Sequence, residues 1–256
     1  VVMFGGFNGN FRYMLNETWE WDGQKWREIP IPRGNRPEPR FLMSMVYDSA
    51  RKRMVMYGGG DVIQWRGYED TWEYDGNQWI KRNAKGPGIR CGYALAYDEA
   101  RRKVVLFGGF DLDMKSTADL WEWDGNQWRP VTVQEMPAPR SLMSVAYDSR
   151  RKKMVMFGGT DGTILFGDTW EWDGTIFLKA ADTGPEPRMW GSMTYDTRRS
   201  SVILYGGGAD LVNSDTKRSL GDTWEWDGRR WTPINEAGLL PRQMITLAYD
   251  ARRGKM

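Results

Sequence analysis

Histidine is missing altogether from the 256 residues. Its absence removes the commonest general base and the commonest metal ligand, so any chemistry would fall to carboxylates, tyrosine, lysine or a lone thiol. Cysteine occurs once, at Cys91, which cannot form an internal disulfide and leaves the redox compartment open. No apolar run approaches the roughly 18 residues that a membrane span needs. No charge of one sign dominates either: 36 basic residues face 34 acidic ones, so no strong field favours nucleic acid or an anionic membrane. The chain begins at Val1 inside a strand-like apolar run, which leaves a leader or further domains upstream open.

Present in quantity are 30 glycines and 15 tryptophans, a composition suited to many short strands, tight turns and large aromatic contacts. They recur in register. A di-glycine follows an apolar run at Gly5-Gly6, Gly58-Gly59, Gly108-Gly109, Gly158-Gly159 and Gly206-Gly207, steps of about 50 residues. After a variable loop each is followed by an aromatic-acidic-aromatic run ending in Asp-Gly: TWEWDG at 18–23, TWEYDG at 71–76, LWEWDG at 120–125, and TWEWDG at 169–174 and 223–228. Three residues past each glycine stands Trp26, Trp79, Trp128, Phe177 or Trp231. An arginine and a Tyr-Asp pair then complete each unit.

Each unit reads as four strands. In the second unit these are A (41–47), B (53–57), C (70–74) and D (78–82). The Asp-Gly between C and D marks a hairpin turn, because glycine accepts positive φ without a Cβ clash. An Asp and an Arg three apart recur in the A–B hairpin, as at Asp48 and Arg51, and read as a turn cap with its partner. Thirteen of the 15 tryptophans sit at repeat positions, so they are read as packing between units rather than as a site.

The pattern resembles the kelch-repeat family, including bacterial kelch-like proteins, along the whole chain. The resemblance implies an all-β fold, a five-bladed β-propeller of four-stranded antiparallel blades around a central channel. The chain is then a single domain, 1–256, whose closing blade combines 243–256 with 1–30, the strand 243–249 pairing with 1–4. A larger ring shortened by whole repeats would read identically. One departure matters. Many family members carry histidine three residues after the strand-A arginine, where this chain has Met43, Tyr93, Met143, Gly191 and Ile245. A role that depends on that histidine does not carry over.

Strand order places the long, dissimilar B–C loops on one face with the D–A connections, and variable loops on a rigid ring are where recognition is expected. Trp65, Tyr68, Tyr93, Trp190 and Tyr13 depart from the repeat and map to this loop face, with Arg66 beside Trp65. Freed from inter-blade packing, they are the expected binding residues for a protein or carbohydrate partner. Two polar rings are expected near the same channel mouth. Asn8, Asp61, Asp111, Asp161 and Asp210 follow the di-glycines, and Arg40, Arg90, Arg140, Arg188 and Arg242 precede strand A. They read either as a seat for a cation or acidic ligand, or as partners that brace the loops. The repeated glutamates, Glu20 and its equivalents, read as buried struts.

A non-catalytic binding or scaffolding module is therefore expected, monomeric, with no catalytic residue, metal or cofactor assigned. The alternative is a carboxylate-dependent, glycosidase-like hydrolase at the loop-face mouth. The strand-A segments, however, contain no Asp or Glu to project into a channel. The propeller is also similar to that of galactose oxidase, whose copper site requires histidines that this chain lacks. On the opposite face the A–B hairpins carry basic clusters such as 150–153, which neighbouring aspartates turn into a mixed-charge rim. Compartment is left open, with secretion or the cell surface the expectation for a bacterial member.

Overall fold

Each apolar B strand pairs with the aromatic C strand of its own unit, and C with D, so each repeat closes on itself as a small antiparallel sheet. The computed structural model describes all residues except 8–12, 62–63, 65, 212–217, 235–238 and 252. Blade 1 holds β1 (Val2–Phe7), β2 (Met14–Trp21) and β3 (Trp26–Ile29). Blade 2 holds β4 (Ser44–Asp48), β5 (Arg53–Tyr57), β8 (Thr71–Tyr74) and β9 (Trp79–Arg82), with a two-strand ribbon, β6 (Gly60–Asp61) and β7 (Arg66–Gly67), in its loop. Blade 3 comprises β10 (Ala94–Asp98), β11 (Lys103–Phe107), β12 (Leu120–Trp123) and β13 (Trp128–Val131). Blade 4 comprises β14 (Ser144–Asp148), β15 (Lys153–Phe157), β16 (Thr169–Trp172) and β17 (Phe177–Ala181). Blade 5 comprises β18 (Ser192–Asp196), β19 (Ser201–Gly208), β20 (Ser219–Trp226) and β21 (Trp231–Ile234). The five sheets form a ring, a five-bladed β-propeller. Among the described residues, no helix is long and apolar enough to cross a membrane.

The second strand of a blade is covered on both faces by its neighbours, which is why KVVLF or KMVMF reads as continuous apolar sequence rather than alternation. Val104 to Phe107 are wholly buried. Hairpin chemistry follows the expected turn residues. Asp75 accepts the N–H groups of Asn77 and Gln78 at 2.9 and 3.0 Å, while Gly76 takes φ +99°. In the A–B hairpin, Asp48 accepts the Arg51 N–H at 2.9 Å and its Nε at 2.7 Å.

Blades join through aromatic contacts and one recurring hydrogen bond. Trp79 Nε1 donates to Thr18 at 2.9 Å, Trp128 to Thr71 at 2.9 Å and Trp231 to Thr169 at 2.8 Å, each reaching the preceding blade. Where the tryptophan is Phe177, the facing position is Leu120, so donor and acceptor are lost together and the pair packs as hydrocarbon. Apolar clusters fill the interfaces between blades 1 and 2, 2 and 3, 3 and 4, and 4 and 5.

The remaining seam, between blades 5 and 1, is built differently. The segment 243–249 was expected to add a fourth strand beside 1–4, yet it forms no ladder with β1, and blade 1 has three strands among the described residues. It follows blade 5 instead: Met244 N–H donates to Trp190 O at 3.2 Å, and Leu247 N–H to Ser192 Oγ at 2.8 Å. Trp26, the fifth of the inter-blade aromatics, is 44% exposed there.

Candidate functional site

The loop face begins at the di-glycines, which bring the next blade's backbone close. Gly58 has φ +52°, and a Cβ there would lie 2.7 Å from Arg90 O; Gly59, at φ +85°, donates its N–H to that same carbonyl at 2.9 Å. The carbonyl belongs to the arginine that precedes strand A, so the di-glycine fixes where each arginine stands.

Four of those arginines are buried, and they do not pair with the aspartates that follow the di-glycines. Arg40 forms a two-point bond to Asp70, Nη1 to Oδ1 at 2.6 Å and Nη2 to Oδ2 at 3.2 Å, and its Nη1 also reaches Gly58 O at 2.8 Å. Arg90 pairs with Asp119, Arg140 with Asp168 and Arg188 with Asp222, each at 2.6 Å. The same four carboxylates accept a tryptophan Nε1 two residues later, from Trp72, Trp121, Trp170 and Trp224, at 2.6–2.7 Å. Burial raises the pKa of these carboxyls, but the bonds from arginine and tryptophan outweigh it, and all four are held below the usual carboxylate range. The sequence signal was there: an acid two residues ahead of the strand-C tryptophan in every unit, hidden in blade 1 by a change to Glu17. Arg242, the fifth arginine, lies exposed at the seam; its Nε donates to Leu240 O at 3.2 Å and it makes no ion pair among the described residues.

Each aspartate of the other ring caps its own loop. Asp61 is buried and accepts the Gln64 N–H at 3.1 Å. Asp111 accepts the N–H groups of Asp113 and Lys115 at 3.0 Å, and Asp210 that of Arg218 at 2.6 Å. Asp161 accepts Thr163 and Ile164 N–H at 2.7 and 2.9 Å; burial acts to raise its pKa, but these bonds prevail and lower it. Asn8 lies outside the described residues. Among the described residues, no group of three or more His, Cys, Asp or Glu side chains is placed to hold a metal ion.

The off-pattern aromatics part company. Tyr93, expected at the surface, is only 3% exposed: its hydroxyl accepts the Ser44 N–H at 3.1 Å and donates to Tyr57 O, and its ring packs in the interface of blades 2 and 3. Burial drives its pKa upward. It replaces the methionines of equivalent positions and is core because strand A faces the previous blade here. Tyr68 lies on Arg40, 4.0 Å from ring centroid to guanidinium carbon, as Phe166 lies on Arg140 at 3.9 Å. It therefore occupies a recurring position after all, hidden because its counterparts are Leu15, Thr117, Phe166 and Leu220. Arg66 is exposed on β7 opposite Asp61, and Tyr13 is 66% exposed. Trp65 lies outside the described residues.

Trp190 belongs to a feature that the repeat did not announce. Leu42, Gly92, Leu142, Trp190 and Met244 all hold φ between +53° and +60°. Each N–H donates to the preceding blade's equivalent carbonyl: Gly92 to Leu42 at 2.9 Å, Leu142 to Gly92 at 2.6 Å, Trp190 to Leu142 at 3.0 Å and Met244 to Trp190 at 3.2 Å. Four non-glycine residues in the left-handed region cost roughly 1–3 kcal/mol each, so the surroundings must over-determine them. The four bonds run in series from blade 2 to the segment after blade 5, and beside them Leu142 packs with Cys91, Phe110 and Met189, flanked by Leu42 and Trp190. Burial pushes the Cys91 thiol up to about 12, so it is apolar filling rather than a nucleophile. The Trp190 Nε1 is buried and has no hydrogen-bond partner among the described residues.

The loop face thus carries an apolar cluster, while the aspartates after its di-glycines are tied to their own loops. No curated protein matches the chain. The KLHDC2/KLHL20/DRC7 Kelch-repeats domain matches it twice in overlapping register, over residues 1–173 and 71–244. Five repeats, five blades and a match spanning nearly the whole chain place this protein in the Kelch-repeat propeller family.

Proposed function

We propose that this propeller is a non-catalytic module that binds a protein partner through its loop face. One observation carries the reading: aliphatic side chains stand exposed on loops of neighbouring blades, on residues close in sequence or hydrogen-bonded to members of the apolar cluster around Leu142. Leu112 and Met114 protrude from the blade 3 loop, Ile164 from the blade 4 loop, and Met244 beside Trp190. Scattered apolar residues are ordinary on any surface, but aliphatic groups on the one variable face suit a protein contact. They suit a sugar less, since stacking on a glycan needs open aromatic faces, and Tyr93 and Tyr68 are spent on packing.

Among the described residues the hydrolase alternative finds no paired acid and base on the loop face. A glycosidase needs one carboxyl with a raised pKa to protonate the leaving group. Asp161 is shifted the other way, and Asp111 is occupied by its own turn.

The test compares affinity capture by the intact chain with capture by Met114→Asp and Ile164→Asp, with Lys152→Glu on the opposite face as control. A protein retained by the parent and by Lys152→Glu, and lost from both loop variants, supports the reading. Equal retention by all four overturns it.

A further inference from the structure

Three hairpin arginines have the same seat. Arg51, Arg101 and Arg151 each bond the strand-C glutamate of their own blade, Glu73, Glu122 and Glu171. Each also lies against the Asp-Gly turn of the next blade, where a Cβ at Gly125, Gly174 or Gly228 would collide with the arginine side chain. Arg51 and Arg101 face the next blade's Trp123 and Trp172, 6.0 and 5.7 Å from the ring centroid.

Between blades 1 and 2 the corresponding seat is an open cleft of about 300 Å³. It is lined by Glu20, Tyr74, Asp75, Gly76, Tyr47 and Lys52, together with apolar Val2 and Met54. Glu20 stands where Glu73 does, and accepts one hydrogen bond, from the Tyr74 hydroxyl at 3.0 Å. It makes no ion pair among the described residues. Tyr74 supplies the aromatic face that Trp123 supplies elsewhere. A Cβ at Gly76 would meet nothing within 4 Å. Asp75 is shared with Arg53 at 3.6 Å, and Lys52 adds one positive charge at the rim, so Glu20 is the carboxylate left to a ligand.

The repeat's own candidate is Arg253, but it is placed elsewhere. It lies over Gly23, within 3.5 Å of Asp250, on a segment hydrogen-bonded to blade 5. We propose that the cleft is a binding site for an arginine side chain presented on a tight hairpin by another polypeptide. Glu20 would take a guanidinium N–H, Tyr74 the guanidinium face and Gly76 its edge, as a glutamate and a turn glycine do three times within this molecule and an aromatic ring does twice. Arginine is specified over lysine because its planar fork divides its donors, one to the seat's glutamate and one to the aspartate of its own hairpin, as Arg51 does between Glu73 and Asp48. The site is on the hairpin face, apart from the proposed protein-binding loops, and does not depend on them.

The test uses calorimetric titration of the intact chain with a cyclised peptide of residues 147–156, a hairpin whose Arg151 fills such a seat in this protein. Binding with a Kd below roughly 1 mM is expected, weakened about tenfold by Arg151→Lys in the peptide or by Glu20→Gln in the protein. The peptide exchange leaves the protein unaltered, so a misfolded variant cannot mimic the result. Arg253→Ala should leave the affinity unchanged, as should Met114→Asp on the loop face, which separates this site from the other reading. No binding, or equal binding of the arginine and lysine peptides, overturns the proposal. Binding only to Arg253→Ala also overturns it, because the chain's own arginine would then be the occupant.

Discussion

Four blade interfaces in this protein are filled by an apolar cluster drawn from both neighbours, and the fifth seam is built differently. At the interface of blades 2 and 3, Trp123 and Trp128 are buried against Tyr57 and Val55, and Trp128 bonds Thr71. At the seam, Trp26 is largely exposed, the segment 243–249 makes no ladder, and Arg242 is out of its seat. The missing fourth strand is felt between blades 1 and 2 as well, where Tyr47, whose counterpart Tyr147 bonds Asp98 of the preceding blade at 2.8 Å, is 53% exposed. The repeat residues are present on both sides of the comparison. A propeller interface is therefore not a property of the sequence motif alone. It needs the fourth strand in place, so that tryptophan, tyrosine and arginine can each reach the neighbour.

The largest expected difference lies in the tryptophans. Trp128→Ala should cost about 3–5 kcal/mol, as for a large buried aromatic, whereas Trp26→Ala should cost roughly 1 kcal/mol. Denaturant unfolding of both variants measures the contrast, and equal losses would mean that the seam is closed in solution.

Next come the arginines. Arg140→Ala leaves Asp168 deprived of its partner in a mostly buried setting and should cost about 3–5 kcal/mol. Arg242→Ala, with no ion pair to lose, should stay within about 0.5 kcal/mol.

The same carboxylates set the acid limit. Asp70, Asp119, Asp168 and Asp222 titrate lower in the fold than in the unfolded chain, since bonds from arginine and tryptophan outweigh the effect of burial. Their contribution is present above the unfolded carboxyl pKa, about 3.9, and is lost as pH falls through the lower folded value. Stability should therefore be steady down to about pH 5 and drop below about pH 4, and Asp168→Asn should flatten that drop. Asp161→Asn should move the acid limb less, because Asp161 is tied only to its own loop.

The smallest effect tests the interface code itself. Leu120→Thr with Phe177→Trp would restore the tryptophan–threonine bond between blades 3 and 4. A double-mutant cycle should show a favourable coupling of about 0.5–1.5 kcal/mol, although each single change destabilises. A coupling of zero would mean that the hydrogen bond adds nothing beyond packing.

Much of the site was readable only in part. The arginine ring was identified by residue, but its partner was assigned to the wrong aspartate. The di-glycine aspartates and the arginines are near in the loop-face reading, whereas the true partner begins strand C some 28 to 34 residues away in sequence. Tyr93 looked free because it broke the repeat. Yet strand A packs against the preceding blade there, and Met143 at the equivalent position is buried too. Tyr68 looked irregular because its position tolerates any side chain that can cover an arginine.

What the sequence by itself determined is the blade: period, strand order, hairpin turns and the tryptophans between units, all of which rest on local pattern and on residues repeated in register. What only the tertiary structure decided lies between blades. The left-handed ring at Leu42, Leu142, Trp190 and Met244 has no residue signature, because the backbone there is set by hydrogen bonds to the preceding blade. The open seat beside Glu20 is likewise invisible in the repeat, since the arginine that matches it exists in the chain and stands elsewhere in space.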